Sequence, residues 1–201
     1  MVSSLPTGQE KPKGYESIYE DDERSQIAQD IDCVMVSQLS RSELAEIEGL
    51  RGRALQPVIS NLSDRYRDFT FDQEIRLWPE GKTLSDKMLF RYSQQGALCG
   101  YALVVIGWPT SEEWAIQHLI IDPEMKLHGI GSAIVTKVEK YAYDSTAVAT
   151  SMVAIPIDPA ASGTFWSFLG YQDEASRQTV QLDGRNYDVI YYRKALPPQE
   201  A

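Results

Sequence analysis

Residues 118–142, HLIIDPEMKLHGIGSAIVTKVEKYA, run an apolar strand pattern into an Asp-Pro turn and then through two spaced glycines into a long helical pattern. The helix is read from Ile130, Ala133, Ile134, Val138, Tyr141 and Ala142, which recur at the three- and four-residue steps of one apolar face. The first amides of a helix have no intrahelical acceptor, and the helix dipole adds partial positive charge there. A strand-to-helix turn without bulky side chains is therefore an anion pocket, and Gly129 and Gly131 would let an anion approach its backbone closely. The full dinucleotide fingerprint is absent, and no Lys-Ser/Thr follows the glycines as in a P-loop.

The flanking segments set the fold class. IDCVMVSQL, residues 31–39, is rich in β-branched residues and reads as a strand. Ser40 with Glu43 fits a capping box and Leu39 with Leu44 a hydrophobic staple, so a helix begins at Arg41. Its stripe is Leu44, Ile47, Leu50, Ala54 and Leu55, and Pro57 ends it. Residues 61–80 read as partly helical, with aromatics at Tyr66, Phe69, Phe71 and Trp78. KMLFRYS and ALCGYALVVIG, joined at Gln95 and Gly96, read as antiparallel strands. Trp108, Pro109 and Thr110 then turn the chain into EEWAIQHLII, a strand ending at Ile121.

TAVATSMVAIP, residues 146–156, reads as a buried central strand, and PAASGTFWSFLG as a short helix stopped by Gly170. TVQL, the turn Asp183-Gly184-Arg185-Asn186 and YDVIYYRKA close the chain as a hairpin. The order βααβββαβαββ predicts an α/β (α+β) domain with a central, mixed and largely antiparallel sheet flanked by helices, spanning 31–196. Residues 1–30 read as an acidic flexible arm, and 197–201 as a short tail.

The net charge of −10 argues against nucleic acid, whose phosphates need clustered Lys and Arg. Residues 9–32 alone hold eight acidic and three basic side chains, so the arm carries much of that excess. Cys33 and Cys99 form no CxxC pair and have no histidine cluster beside them, which points to neither a disulfide framework nor a metal site. No signal-peptide core or membrane-length apolar run is present, and the expectation is a cytoplasmic protein without a membrane partner.

The stretch IIDPEMKLHGIGSAI resembles the pyrophosphate-binding motif of the GNAT N-acetyltransferase family, Arg/Gln-x-x-Gly-x-Gly/Ala, with Lys126-Leu127-His128-Gly129-Ile130-Gly131 in that pattern. FWSFLGY at 165–171 is similar to the family's Phe-Tyr-x-x-x-Gly-Phe segment, and the resemblance spans roughly residues 31–195. It implies the GNAT-type acyl-CoA N-acyltransferase fold and acetyl transfer from acetyl-CoA to a primary amine of a small molecule or protein, without a metal. By that resemblance, the backbone of Leu119 and Ile121 would pair with the pantetheine arm. Leu127, His128, Gly129, Ile130, Gly131 and Ser132 would hold the pyrophosphate, with Lys126 where Arg or Gln is usual.

The resemblance also implies a base, often Glu or His on the strand before the glycine loop or Glu on the next parallel strand. Strict alternation puts Ala115, Gln117, Leu119 and Ile121 on the acceptor side, where Gln117 is the one polar residue and can orient water. The site on the next strand falls at Ala154. Trp166 stands where the family's acidic tyrosine is expected, with Tyr171, Tyr141 and Tyr143 as spatial substitutes or packing residues. Asp158 is a candidate for holding a cationic acceptor or relaying a proton, with helix capping as the alternative. Asp122 reads as turn structure, and Glu112 and Glu113 as solvated. The aromatics from Tyr66 to Trp78 would line the acceptor cleft or pack the core. A catalytically reduced acyl-CoA-binding module remains the alternative reading, and monomer and homodimer both stay open, the edge of the terminal hairpin being free to pair.

Overall fold

A computed structural model describes residues 27–57, 70–76, 79, 81–145, 151–155, 159–182 and 185–197. The elements are β1 (Ile31–Met35), α1 (Arg41–Leu55), α2 (Phe71–Ile75), β2 (Lys87–Gln94), β3 (Ala97–Ile106) and β4 (Glu113–Ile121). They continue with α3 (Ile130–Asp144), β5 (Ser151–Ala154), α4 (Pro159–Phe168), β6 (Gln172–Leu182) and β7 (Arg185–Ala195). One seven-stranded sheet has the order β1-β2-β3-β4-β5-β7-β6. Among the described residues, β4 and β5 alone pair in parallel; every other neighbouring pair is antiparallel.

The expected element order holds along the described residues. The first strand is shorter than its composition suggests, because the chain turns into a single 3-10 turn at Val36–Gln38 before the α1 cap. At that cap Ser40 Oγ accepts from Glu43 N while Glu43 Oε2 accepts from Ser40 N at 2.8 Å, which closes the capping box. β6 begins at Gln172, well before the expected TVQL, since it pairs with β7 from Gln172↔Arg193 onward. The acidic arm up to residue 26, Tyr66, Phe69, Trp78, residues 146–150, Asp158 and the Asp183-Gly184 tip lie outside the described residues.

Two apolar layers sandwich the sheet. On one face α3 and α4 bury Ile134, Val138 and Trp166 against Phe90, Ala102, Val104, Trp114, Ile116, Ala154 and Tyr192. On the other, α1 and α2 bury Ile47, Leu50, Phe71 and Ile75 against Leu89, Tyr101, Leu103 and Ile120. Phe71 packs edge-on against Tyr101 with ring centroids 5.5 Å apart, so this aromatic belongs to the core. Glu113, expected to be solvated, is 6 % exposed. It accepts from Arg193 Nε at 2.6 Å and Ser151 Oγ at 2.8 Å, tying the start of the parallel pair to β7.

Candidate active site

The site begins where β4 changes its step. Leu103 pairs with His118 and Val104 with Ile116, so Gln117 is an extra residue without a cross-strand partner, a β-bulge. The bulge overturns the alternation expected from sequence. Trp114 and Ile116 share the α3/α4 layer with Leu119 and Ile121, whereas His118 and Ile120 turn to the α1/α2 side. Ala115 leaves the set it was expected to share with Leu119, packing instead with Val153, Ile155 and Tyr191. Gln117 itself is 1 % exposed, and its Oε1 meets no hydrogen-bond donor among the described residues.

Beside the bulge the described pairing of β4 with β5 ends. The β4–β5 ladder stops at Ile116↔Ala154, with Ile155 N–H donating to Ile116 O at 3.0 Å, while β4 runs on to Ile121. Asp122 N–H donates to Cys99 O on the β3 side at 2.8 Å. Alternate residues of an antiparallel ladder point their backbone groups to the same side, so Ile120 and His118 face β3. Leu119 and Ile121 therefore turn N–H and C=O toward the β5 side, where among the described residues a gap follows Ile155.

The gap leads to the glycine loop. Asp122 accepts from Glu124 N at 3.1 Å and from Arg53 Nη2 at 2.7 Å, which ties the end of α1 to the turn. The Arg53 hydrogen bond is the main cause holding the Asp122 carboxyl below its ordinary range. Leu127 has φ +67° and is 90 % exposed, a strained backbone bearing an apolar side chain in the open. Gly129 caps α3 at φ +77°, a conformation that asks for glycine.

Gly131 differs. It sits in ordinary helical backbone, and a Cβ there would meet Phe165 and Ile121 at 3.5–3.6 Å, plain van der Waals contact. The fold does not require glycine at that position. A close ligand would. Ser132 Oγ donates to Gly129 O at 2.8 Å, so the hydroxyl is engaged with the loop itself. His128 Nδ1 lies 2.9 Å from Lys126 O; a carbonyl only accepts, so Nδ1 carries the hydrogen and in the neutral ring Nε2 is an acceptor. Lys126 is exposed in the loop.

Beyond the bulge, on the α1/α2 side, lies a charged cluster that sequence reading missed. Glu74 Oε2 stands 3.2 Å from Arg51 Nε and 3.6 Å from His118 Nε2, with Glu74 and His118 0 % and 1 % exposed. Lys87 Nζ donates to the Glu74 carbonyl at 3.4 Å, and Arg51 Nη1 reaches Glu48 Oε1 at 3.5 Å. These residues come from four separate elements, and the bulge is what turns His118 toward the others.

The substitutes for the acidic tyrosine do not gather here. Tyr171 is buried, with its phenol pushed well above the ordinary value by burial and by Glu139. Tyr141 stacks edge-on to Phe90 at 5.5 Å, a packing role. Trp166 is 3 % exposed, between Phe165 and Tyr171 with ring centroids 5.1 Å from each. Among the described residues there is no metal-holding group of three or more His, Cys, Asp and Glu, and no helix long and apolar enough to cross a membrane.

The family model described as the acetyltransferase (GNAT) family matches residues 56–170, more than half of the chain. No curated protein matches. Among solved structures, an acetyltransferase of the GNAT family from Staphylococcus aureus Mu50 superposes with a TM-score of 0.58 at 12 % identity, over 83 % of this chain and 99 % of that one. The ribosomal-protein-S18-alanine N-acetyltransferase of Escherichia coli gives 0.54 at 14 % identity, over 85 % and 96 %. An acyl-CoA N-acyltransferase from Pseudomonas aeruginosa gives 0.57 at 16 %, over 83 % and 99 %. Identities this low speak for the fold alone.

Proposed function

The chain belongs to the GNAT acetyltransferase family, and on that premise we propose that it transfers an acetyl group from acetyl-CoA to a primary amine of a small molecule or a protein. One observation supports the donor assignment: among the described residues the parallel pairing ends at Ile116 and Ala154, and β4 runs on from there to the glycine-lined start of α3. In this reading Leu119 and Ile121 pair with the pantetheine amides, and the amides from Leu127 to Ser132, with Lys126 nearby, hold the pyrophosphate. Acetyl-CoA supplies the thioester carbon that the amine attacks.

An ordinary alkyl amine has a pKa near 10.4, so it must lose a proton before it attacks near neutral pH. Gln117, buried at the bulge with an unmet carbonyl, is suited to hold the water that takes it. His118, the next residue in β4, faces Glu74 and is of the chemical type that could accept the proton onward. Asp158 keeps its proposed role of holding a cationic acceptor.

A second reading is favoured by Trp166, whose enclosed indole has no transferable proton: a fold that binds acyl-CoA with little turnover. Calorimetric titration with acetyl-CoA, 3′-dephospho-CoA and free pantetheine tests the donor. Micromolar binding that collapses when the pyrophosphate is missing is the expected result; no binding to any of the three removes the donor assignment. Consumption of acetyl-CoA with an amine panel then separates the enzyme from the binding module.

A further inference from the structure

The outer side of α3 carries a groove of about 490 Å³ lined by Lys137, Lys140, Tyr141, Asp144 and Ser145. These residues recur at three- and four-residue steps, so they share one side of the helix. That side looks toward β1. Burial pushes the Cys33 thiol of β1 up to about 11, against the pull of the nearby Lys137. Tyr141 stands edge-on to Phe90, the β2 residue paired with Cys33. Tyr141 is nevertheless 41 % exposed, beside two lysines on a chain of net charge −10.

The chain enters β1 from the same layer. Ile27, the first described residue, packs against the core beneath α3 and α4, and residues 27–29 are helical. Shortly before it, residues 16–23 read ESIYEDDE, five carboxylates without a base, with Ile18 and Tyr19 among them. Glu20 is seven residues ahead of Ile27, and seven extended residues span up to about 24 Å. Cys33, beside Lys137, is six residues after Ile27, and part of that stretch is coiled into the helical turn. The groove is therefore within reach of the acidic run.

From this complementarity we propose that residues 16–23 of the chain's own N-terminal arm dock in the groove, with the Glu20–Glu23 carboxylates on Lys137 and Lys140 and with Ile18 and Tyr19 over Tyr141. Lys140 holds Asp144 at 2.8 Å, but both side chains of that pair are more than half exposed. A pair so open is weak, and the lysine is readily shared with the arm. The apolar contact removes the Tyr141 ring from water. Docking here uses none of the residues that would hold acetyl-CoA.

Chymotrypsin cuts after Tyr15 and Tyr19, and while opening and closing are fast its rate follows the undocked fraction. In the full chain at low salt, cleavage of the arm should be about tenfold slower than in Lys137→Glu with Lys140→Glu, with the products identified by mass spectrometry. High salt should remove most of that difference. Adding Glu20→Lys, Asp22→Lys and Glu23→Lys to the groove variant puts bases opposite the new acids, and should slow the cut after Tyr15 again. Equal cleavage of the native chain and the groove variant overturns docking in this groove. So does a loss of protection that the charge-swapped chain fails to regain. Protection that grows with protein concentration overturns the intramolecular seat in favour of the arm of a second copy.

Discussion

Glu74 Oε2 lies 3.2 Å from Arg51 Nε, and the two side chains are 0 % and 6 % exposed. This buried pair pins the five-residue helix α2 to α1, beside the buried Phe71 and Ile75 of the same helix. Removing one partner leaves an uncompensated buried charge. Arg51→Met should therefore lower stability by about 3–5 kcal/mol, read from urea unfolding. The double variant Arg51→Met with Glu74→Leu should recover much of that loss. A single variant as stable as the native chain would show that the pair contributes little.

The two glycines of the loop should respond differently. Gly131→Ala should fold with stability unchanged or raised by up to about 1 kcal/mol, because alanine favours helix and its Cβ fits. Acetyl-CoA affinity should nonetheless drop at least about tenfold, 1.4 kcal/mol or more on the binding scale. Gly129→Ala should cost about 1–2 kcal/mol in stability through its φ of +77°. Replacing either glycine by Asp should abolish transfer, since a carboxylate fills and repels the pocket. Calorimetric binding alongside thermal unfolding checks all four, and full activity in both Asp variants would refute the pocket.

Gly100 on β3 is a packing counterpart. A Cβ there would stand 2.8 Å from Ile121 Cδ1 and 3.2 Å from Ile130 Cγ2 and Ile134 Cδ1. Gly100→Ala should thus lower stability by about 1–3 kcal/mol. It should also weaken acetyl-CoA binding, because it pushes the end of β4 away from the start of α3. A variant that loses stability but keeps full affinity would show that those two elements move together.

The α1 cap gives a pH dependence. The Glu43 carboxyl is held down to about 2, first by the Ser40 hydroxyl and amide and then by Arg91. Its folded value is below the unfolded value of about 4.3, so its contribution is complete above that pH and is lost as pH falls toward the folded value. Ser40→Ala should cost about 1 kcal/mol at neutral pH. Unfolding curves measured down through that window should also show a shallower acid loss in the variant.

Much of the fold was legible in the sequence because its signals are local. The Ser40–Glu43 box, the Gln95-Gly96 turn and the spacing from Ile130 to Ala142 each depend on a few neighbouring residues. The bulge at Gln117 was not legible, since an extra residue in β4 is defined only by its pairing with Leu103 and Val104 on β3. That one step parted His118 from the face of Trp114 and Ile116 and hid its approach to Glu74. Glu113 was misread for the same kind of reason: its partner Arg193 is eighty residues away.

Among the described residues, the two leaves of the sheet, β1–β4 and β5–β7, are joined by four rungs, from Glu113–Ser151 to Ile116–Ala154. Past the last rung, no strand among the described residues pairs with Leu119 and Ile121 on the β5 side, as along an exposed sheet edge. Another chain could add a strand there as readily as a pantetheine arm. A bound donor molecule would then serve as a blocking strand, guarding the protein against self-association while it waits for an amine.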